Sequence, residues 1–212
     1  MCLAIYKPEH VSIPEAYIHE AYANNPHGAG IAIDTGKRVD VIKGLWSPDD
    51  VIHALVGLED VPCAIHFRYA THGKIATENC HPFSISRKIA VIHNGIIHGY
   101  GSRDRSDTAH FVEDVMKTVG ARKLLNDWHP GDVIGVSKLV ILGTGGRVNI
   151  VNEELGHWHD DAWYSNRTYE PVNLGYYDLR DELDDLDCAD LQSWEDYCAY
   201  RDTERELIHR LL

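Results

Sequence analysis

A chain of 212 residues, 44% hydrophobic and 25% charged, carries enough apolar content for one well-cored domain, with or without an appendage. Its net charge of −13 speaks against a nucleic-acid-binding face and against attraction to an anionic membrane surface. No apolar run nears the ~20 residues that span a bilayer and no charged-then-apolar leader opens the chain, so a cytoplasmic protein is expected. The five cysteines, Cys2, Cys63, Cys80, Cys188 and Cys198, are odd in number and widely spaced, which suits reduced thiols better than a disulfide framework.

The chain opens "MCLAIY". Residues 2–6 predict a strand, and removal of the initiator methionine would leave Cys2 as the terminal residue. A terminal cysteine carries a thiol of pKa ~8.5 and an α-amine of pKa ~7.7–8.0, a nucleophile with its own base. Position alone favours the plainer reading, that Cys2 is a small hydrophobe at the start of an edge strand. "IPEAYIHEAYANN" follows as a helix, with Ile13, Ala16, Tyr17 and Ala21 near helical spacing, and "NNPHGAG" as a turn. "AGIAID" and "RVDVIKG" predict paired strands around Thr35-Gly36. "SPDDVIHALVGL" predicts a helix capped by Ser47, with Pro48 at its first position.

Two apolar strands come next, "VPCAIHFRYA" and "KIAVIHNGII", separated by the irregular stretch "THGKIATENCHPFSIS". Cys63 with His66, and Cys80 with His81, raise the question of zinc. Residues three apart on a strand point to opposite faces, so no metal site is expected. A helix is predicted from about Asp107 to Val119 and a short one near "ARKLLNDW"; "SKLVILG" and "RVNIVN" form a hairpin across Thr144-Gly145-Gly146, and "AWYSN" adds a strand end. Two strand clusters with helices between them predict an α+β layered domain. From about Glu170 the chain turns strongly acidic and then helical, which predicts a solvated face with a packed terminal helix, or a partner-binding appendage.

Three polar stretches sit where strands end, and each has an ordinary explanation beside a chemical one. In "HFRYATHG", Arg68 is a planar fork suited to a carboxylate or a surface ion-pair partner, with Thr71, His72 and Gly73 where the strand runs out. In "VIHNGII", Asn94-Gly95 is a hairpin signal, or the amide and backbone N–H of an oxyanion hole. In "RSDTAHF", Ser106 or Asp107 caps the next helix, or Asp107 meets a substrate ammonium. Together, a terminal thiol, a carboxylate-binding Arg, an oxyanion hole and an acid for an amine describe a site for an α-amino acid attacked at its side-chain carbonyl. Glutamine fits that description.

In order, Cys2, "NPHGAGIA", "HFRYATHG", "NCHPF", "VIHNGII", "SDT" and "WYSN" resemble the class II glutamine amidotransferase domain of the N-terminal-nucleophile hydrolases, over roughly the first 170 residues. That resemblance implies a four-layer αββα sandwich for residues 1–170 with an acidic helical extension at 171–212. It implies Cys2 as nucleophile, Asn94 and the Gly95 N–H as oxyanion donors, Arg68 with Thr71 on the α-carboxylate, Asp107 on the α-ammonium and His72 lining the pocket. Tyr69 stands where Trp is common, and Ala109 where an acidic residue is common. No metal and no organic cofactor is needed for glutamine hydrolysis. The expected partners are glutamine and a separate ammonia-accepting synthase, because about 40 residues beyond Glu170 are too few for a synthase core. A free-standing γ-glutamyl amide hydrolase and a catalytically silent protein on the same fold are the alternatives.

Overall fold

In a computed structural model of the chain, residues 2–171 are described; the expected acidic extension lies, except for its first residue, outside them. Strand β1 (Leu3–Lys7) is followed by helix α1 (Glu15–Asn24), strands β2 (Ala29–Asp34) and β3 (Val39–Leu45), helix α2 (Pro48–Leu55) and strand β4 (Cys63–Phe67). Then come β5 (Phe83–Ser86), β6 (Ile89–Asn94), α3 (Asp107–Asp114), α4 (Ala121–Asn126), β7 (Lys138–Gly143), β8 (Val148–Val151), β9 (His157–His159) and β10 (Ala162–Tyr164). One sheet runs β3-β2-β4-β1-β10-β9 and the other β5-β6-β7-β8, every pairing antiparallel.

The period-2 alternation of each strand sorts its side chains into two cores. Leu3 and Ile5 of β1, Ile31 of β2 and Ile65 and Phe67 of β4 pack outward with Ile18 and Ala21 of α1 and Val51 of α2. Ile89 and Val91 of β6 and Leu139 and Ile141 of β7 pack outward, on the far side, with Phe111 and Val112 of α3 and Leu124 and Leu125 of α4. The alternate residues, Ala4, Tyr6, Ala32, Ala64 and Trp163 on one sheet and Ala90, Ile92, Val140 and Leu142 on the other, form the layer between the sheets. Three cores between four layers make an αββα sandwich, the expected architecture. Each fully buried aliphatic side chain contributes about 1.5–3 kcal/mol, so the three layers rather than helix propensity hold the short helices.

Local chemistry sets the element ends. Ser47 Oγ accepts from the Asp50 N–H and caps α2, with Pro48 at its first position, as expected. Ser106 Oγ does the same for α3 by accepting from the Ala109 N–H. Three expectations change. The stretch between β4 and β6 contains β5, which pairs with β6 because Phe83 and Ile85 pack on the α3–α4 core. Helix α3 ends at Asp114, where Val115 turns to φ −120°, and a 3₁₀ turn over Met116–Thr118 replaces its expected last turn. β9 precedes β10 as the other arm of a hairpin turning at Asp160 and Asp161, both at positive φ.

A polar cluster crosses the sandwich. Buried His66 on β4 lies 4.0 Å from the ring of His81, and His81 lies 6.2 Å from His93 on β6. His81 reaches this place because Gly30 of β2 has no side chain: a Cβ there would stand 2.2 Å from the His81 carbonyl oxygen. Burial holds the His66 ring neutral down to about 3 and that of His93 to about 4, and drives His81 in the same direction. The unfolded chain protonates these rings near the ordinary 6.5, so unfolding takes up protons and stability falls as pH drops from that value toward 4. Urea denaturation at stepped pH is expected to show a loss approaching about 1.4 kcal/mol per pH unit for each such ring. A flat profile between pH 6.5 and 4.5 would contradict neutral burial.

Candidate active site

Cys2 immediately precedes β1, and that strand's pairing with β4 brings it beside the segment after Phe67. The Tyr69 N–H donates to Cys2 Sγ at 3.2 Å, and the thiol lies 3.3 Å from the Tyr69 carbonyl oxygen, a backbone clasp on the sulfur. The clasp uses no Tyr69 side-chain atom, so the aromatic identity at 69 does not alter it. The half-buried thiol is pushed above its ordinary value by desolvation, opposed by the Tyr69 hydrogen bond and the Arg68 charge, while Asp107 adds to the rise. A thiol held protonated in this way needs a base to become a nucleophile.

The end of β10 fixes the other side of Cys2. Asn166 Nδ2 donates to the Cys2 carbonyl at 2.8 Å, and the Ser165 N–H donates to the Ala4 carbonyl at 2.9 Å. Ser165 Oγ accepts from the Ala4 N–H at 2.9 Å and from Asn94 Nδ2 at 2.7 Å. One buried hydroxyl thus joins the strand of the thiol to the amide at the end of β6, across the gap between the sheets. Asn94 donates one N–H there and keeps a second.

Asn94-Gly95 is not a hairpin turn: the chain leaves β6 there and runs to α3. Gly95 sits at φ +140°, and a Cβ would stand 2.1 Å from Ser137 Oγ, so only glycine fits. Ser137 Oγ accepts from the Ile96 N–H and donates to the Ile96 carbonyl, both at 3.1 Å, which fixes the turn that aims the Gly95 peptide.

Arg68 is buried, and so is not a surface ion-pair partner. Its guanidinium donates to the carbonyls of His72 at 2.8 Å, Gly73 at 3.1 Å and Lys74 at 3.2 Å. Three of its five N–H groups therefore shape the loop carrying exposed Thr71 and half-buried His72, leaving two for other acceptors. Asp107, the first residue of α3, is also buried; its carboxylate accepts from the Ile97 N–H at 2.8 Å and the Thr108 N–H at 2.7 Å. Asn79 links the two loops: its Nδ2 donates to the carbonyls of Lys74 and Asp104, and its Oδ1 accepts from the Ser106 N–H. Ala109 is buried and donates its N–H to the Ser106 cap, so the helix start is undisturbed by a small residue there.

Geometry thus brings Cys2, Arg68, Asn94 and Asp107 into one region, with Gly95 next to Asn94 and Thr71 and His72 on the loop that Arg68 holds. The sequence offered no role for Ser165, Asn166 or Asn79, although "WYSN" and "NCHPF" contain them. Among the described residues, no three His, Cys, Asp or Glu side chains converge on a point that could hold a metal ion.

No protein-family model matches the chain. It is 29% identical over 189 residues to glutamine–fructose-6-phosphate aminotransferase of Aquifex aeolicus, covering 74% of this chain and 28% of that protein. The enzyme of the same name from Thermus thermophilus is 28% identical over 161 residues, covering 69% and 25%. Amidophosphoribosyltransferase of Methanocaldococcus jannaschii is 32% identical over 105 residues, covering 45% and 22%. The chain therefore spans about a quarter of the length of these relatives. Among solved structures, the glutamine phosphoribosylpyrophosphate amidotransferase of B. subtilis superimposes with a TM-score of 0.48 at 19% identity, covering 80% of this chain and 42% of that one. Ser165→Ala strands the Ala4 N–H and one Asn94 N–H without an acceptor, and is expected to cost about 2–4 kcal/mol of stability in urea denaturation. A loss below about 0.5 kcal/mol would show that the hydroxyl is not the bridge.

Proposed function

We propose that the chain is a class II glutamine amidotransferase domain of the N-terminal-nucleophile type, in keeping with its similarity to the aminotransferases above, and that it hydrolyses glutamine to glutamate and ammonia through a thioester on Cys2. The observation that carries this is the Ser165 bridge, which holds the Cys2 strand and the Asn94 amide in one fixed relation. A nucleophile and an oxyanion donor need that relation, and a silent scaffold does not.

In this mechanism Met1 is removed and the freed α-amine takes the Cys2 proton, directly or through a water. The thiolate attacks the side-chain amide carbon, and the oxyanion is met by the second Asn94 N–H and the Gly95 N–H. The protonated terminal amine gives its proton to the leaving nitrogen, which departs as ammonia. Water then cleaves the γ-glutamyl thioester to glutamate and restores the thiol. Arg68 with Thr71 binds the α-carboxylate through the N–H groups its loop carbonyls leave over, Asp107 binds the α-ammonium, and His72 lines the pocket. The free thiols of Cys2, Cys63 and Cys80 suit the reducing cytoplasm, and no helix among the described residues is long and apolar enough to cross a membrane.

We further propose that ammonia passes to a separate acceptor enzyme, docked through residues 171–212. Glutamine turnover is then expected to rise on adding the acceptor; turnover unchanged across candidate acceptors would count against this.

Intact mass spectrometry tests the chemistry directly. The expected spectrum shows loss of Met1 and, after a diazo-ketone glutamine analogue, one adduct on Cys2 that glutamine prevents. Asn94→Ala is expected to slow turnover about 10²–10³-fold. A trimmed protein that takes no adduct, or that prefers larger γ-glutamyl compounds to glutamine, would overturn the glutaminase assignment.

A further inference from the structure

The mechanism above uses none of the three histidines buried across the sandwich, yet two of them touch its parts. His66 Nε2 lies 3.0 Å from the carbonyl oxygen of His93. A carbonyl only accepts, so the proton sits on His66 Nε2, and the ring donates to the peptide immediately before Asn94. On the other side, Thr108 Oγ1 lies 3.3 Å from Asp107 Oδ1 and 2.8 Å from His93 Nδ1. The carboxylate only accepts, so the Thr108 hydroxyl donates to it and must itself accept from His93 Nδ1–H. The proton positions are therefore fixed at both rings. They leave lone pairs on His66 Nδ1 and His93 Nε2, the two nitrogens of these rings that are buried without a partner.

A directed chain results. His66 holds the main chain of β6 where it delivers Asn94, and His93 reaches from that same main chain through Thr108 to Asp107. We propose that His66 and His93 are positioning residues that keep the two ends of the glutamine pocket in register, His66 acting on the oxyanion end and His93 on the ammonium end. This rests on the glutaminase assignment. Neither ring touches substrate. Each acts through one specified nitrogen, Nε2 in His66 and Nδ1 in His93, and that gives the inference a signature of its own.

An amide nitrogen in Gln reaches about as far as histidine Nε2, and that in Asn about as far as Nδ1. Steady-state glutamine kinetics would be measured on His66→Leu, His66→Gln and His66→Asn, and on the same three changes at His93, beside thermal melting of each. His66→Leu is expected to lower kcat about tenfold with KM changed less than twofold, since the oxyanion exists only in the transition state. His66→Gln should restore most of kcat and His66→Asn should not. His93→Leu is expected to raise KM about fivefold to tenfold, with His93→Asn and not His93→Gln restoring it. The amide variants keep a polar side chain of similar size, so the crossed rescue remains readable if a leucine variant does not fold. Equal behaviour of Gln and Asn at each site, or kinetic losses that simply follow melting temperature, would overturn the inference. Absence of a Cys2 adduct in the wild-type protein would instead remove the glutaminase assignment on which it rests.

Discussion

The packing of the two sheets against each other, over a seam that includes four alanines, sets the geometry of everything else. Ala4, Ala32 and Ala64 of one sheet and Ala90 of the other lie in that seam, beside Tyr6, Trp163, Ile92, Val140 and Leu142. Small side chains there let polar groups at the ends of the strands reach across at hydrogen-bond distance. Asn94 reaches Ser165 at 2.7 Å at one end, and the Gly146 N–H reaches Asp34 Oδ2 at 2.7 Å at the other. A larger residue in the seam would push the sheets apart, and packed interiors relax only partly around added volume. Loss of the cross-sheet bonds would separate the thiol strand from the amide that faces it.

That seam also explains the division of labour at the site. The backbone does the holding: Tyr69 clasps the sulfur, the carbonyls of His72, Gly73 and Lys74 engage Arg68, and the N–H groups of Ile97 and Thr108 engage Asp107. The Arg68 and Asn94 side chains are left with donors that these bonds do not use. Buried charges cost several kcal/mol unless they are surrounded by such partners. Arg68 and Asp107 meet that requirement largely with main-chain groups rather than with each other.

Much of this was legible in the sequence where one residue's chemistry decides one local outcome. Ser47 before Pro48 capped a helix, Thr144-Gly145-Gly146 turned a hairpin, and strand alternation separated the core-facing residues. Local rules failed where a tertiary neighbour outweighed them. Asn94-Gly95 carries the strongest hairpin signal in the chain, yet no returning strand follows it: Gly95 lies against Ser137, just before the partner strand β7, and the chain runs on to α3. Phe83–Ser86 looked irregular because its alternating pattern is short, and it became a strand by pairing with β6.

The sequence alone determined the layered α+β character, the order of the motifs and the residue types able to carry the chemistry, because strand period, caps and turns are properties of neighbours along the chain. Only the tertiary structure decided which of those residues act together. Ser165 and Ala4 are 161 positions apart, and Asn94 and Ser165 are 71. No local pattern encodes such contacts; they exist because two sheets buried their apolar faces against each other and left polar strand ends side by side.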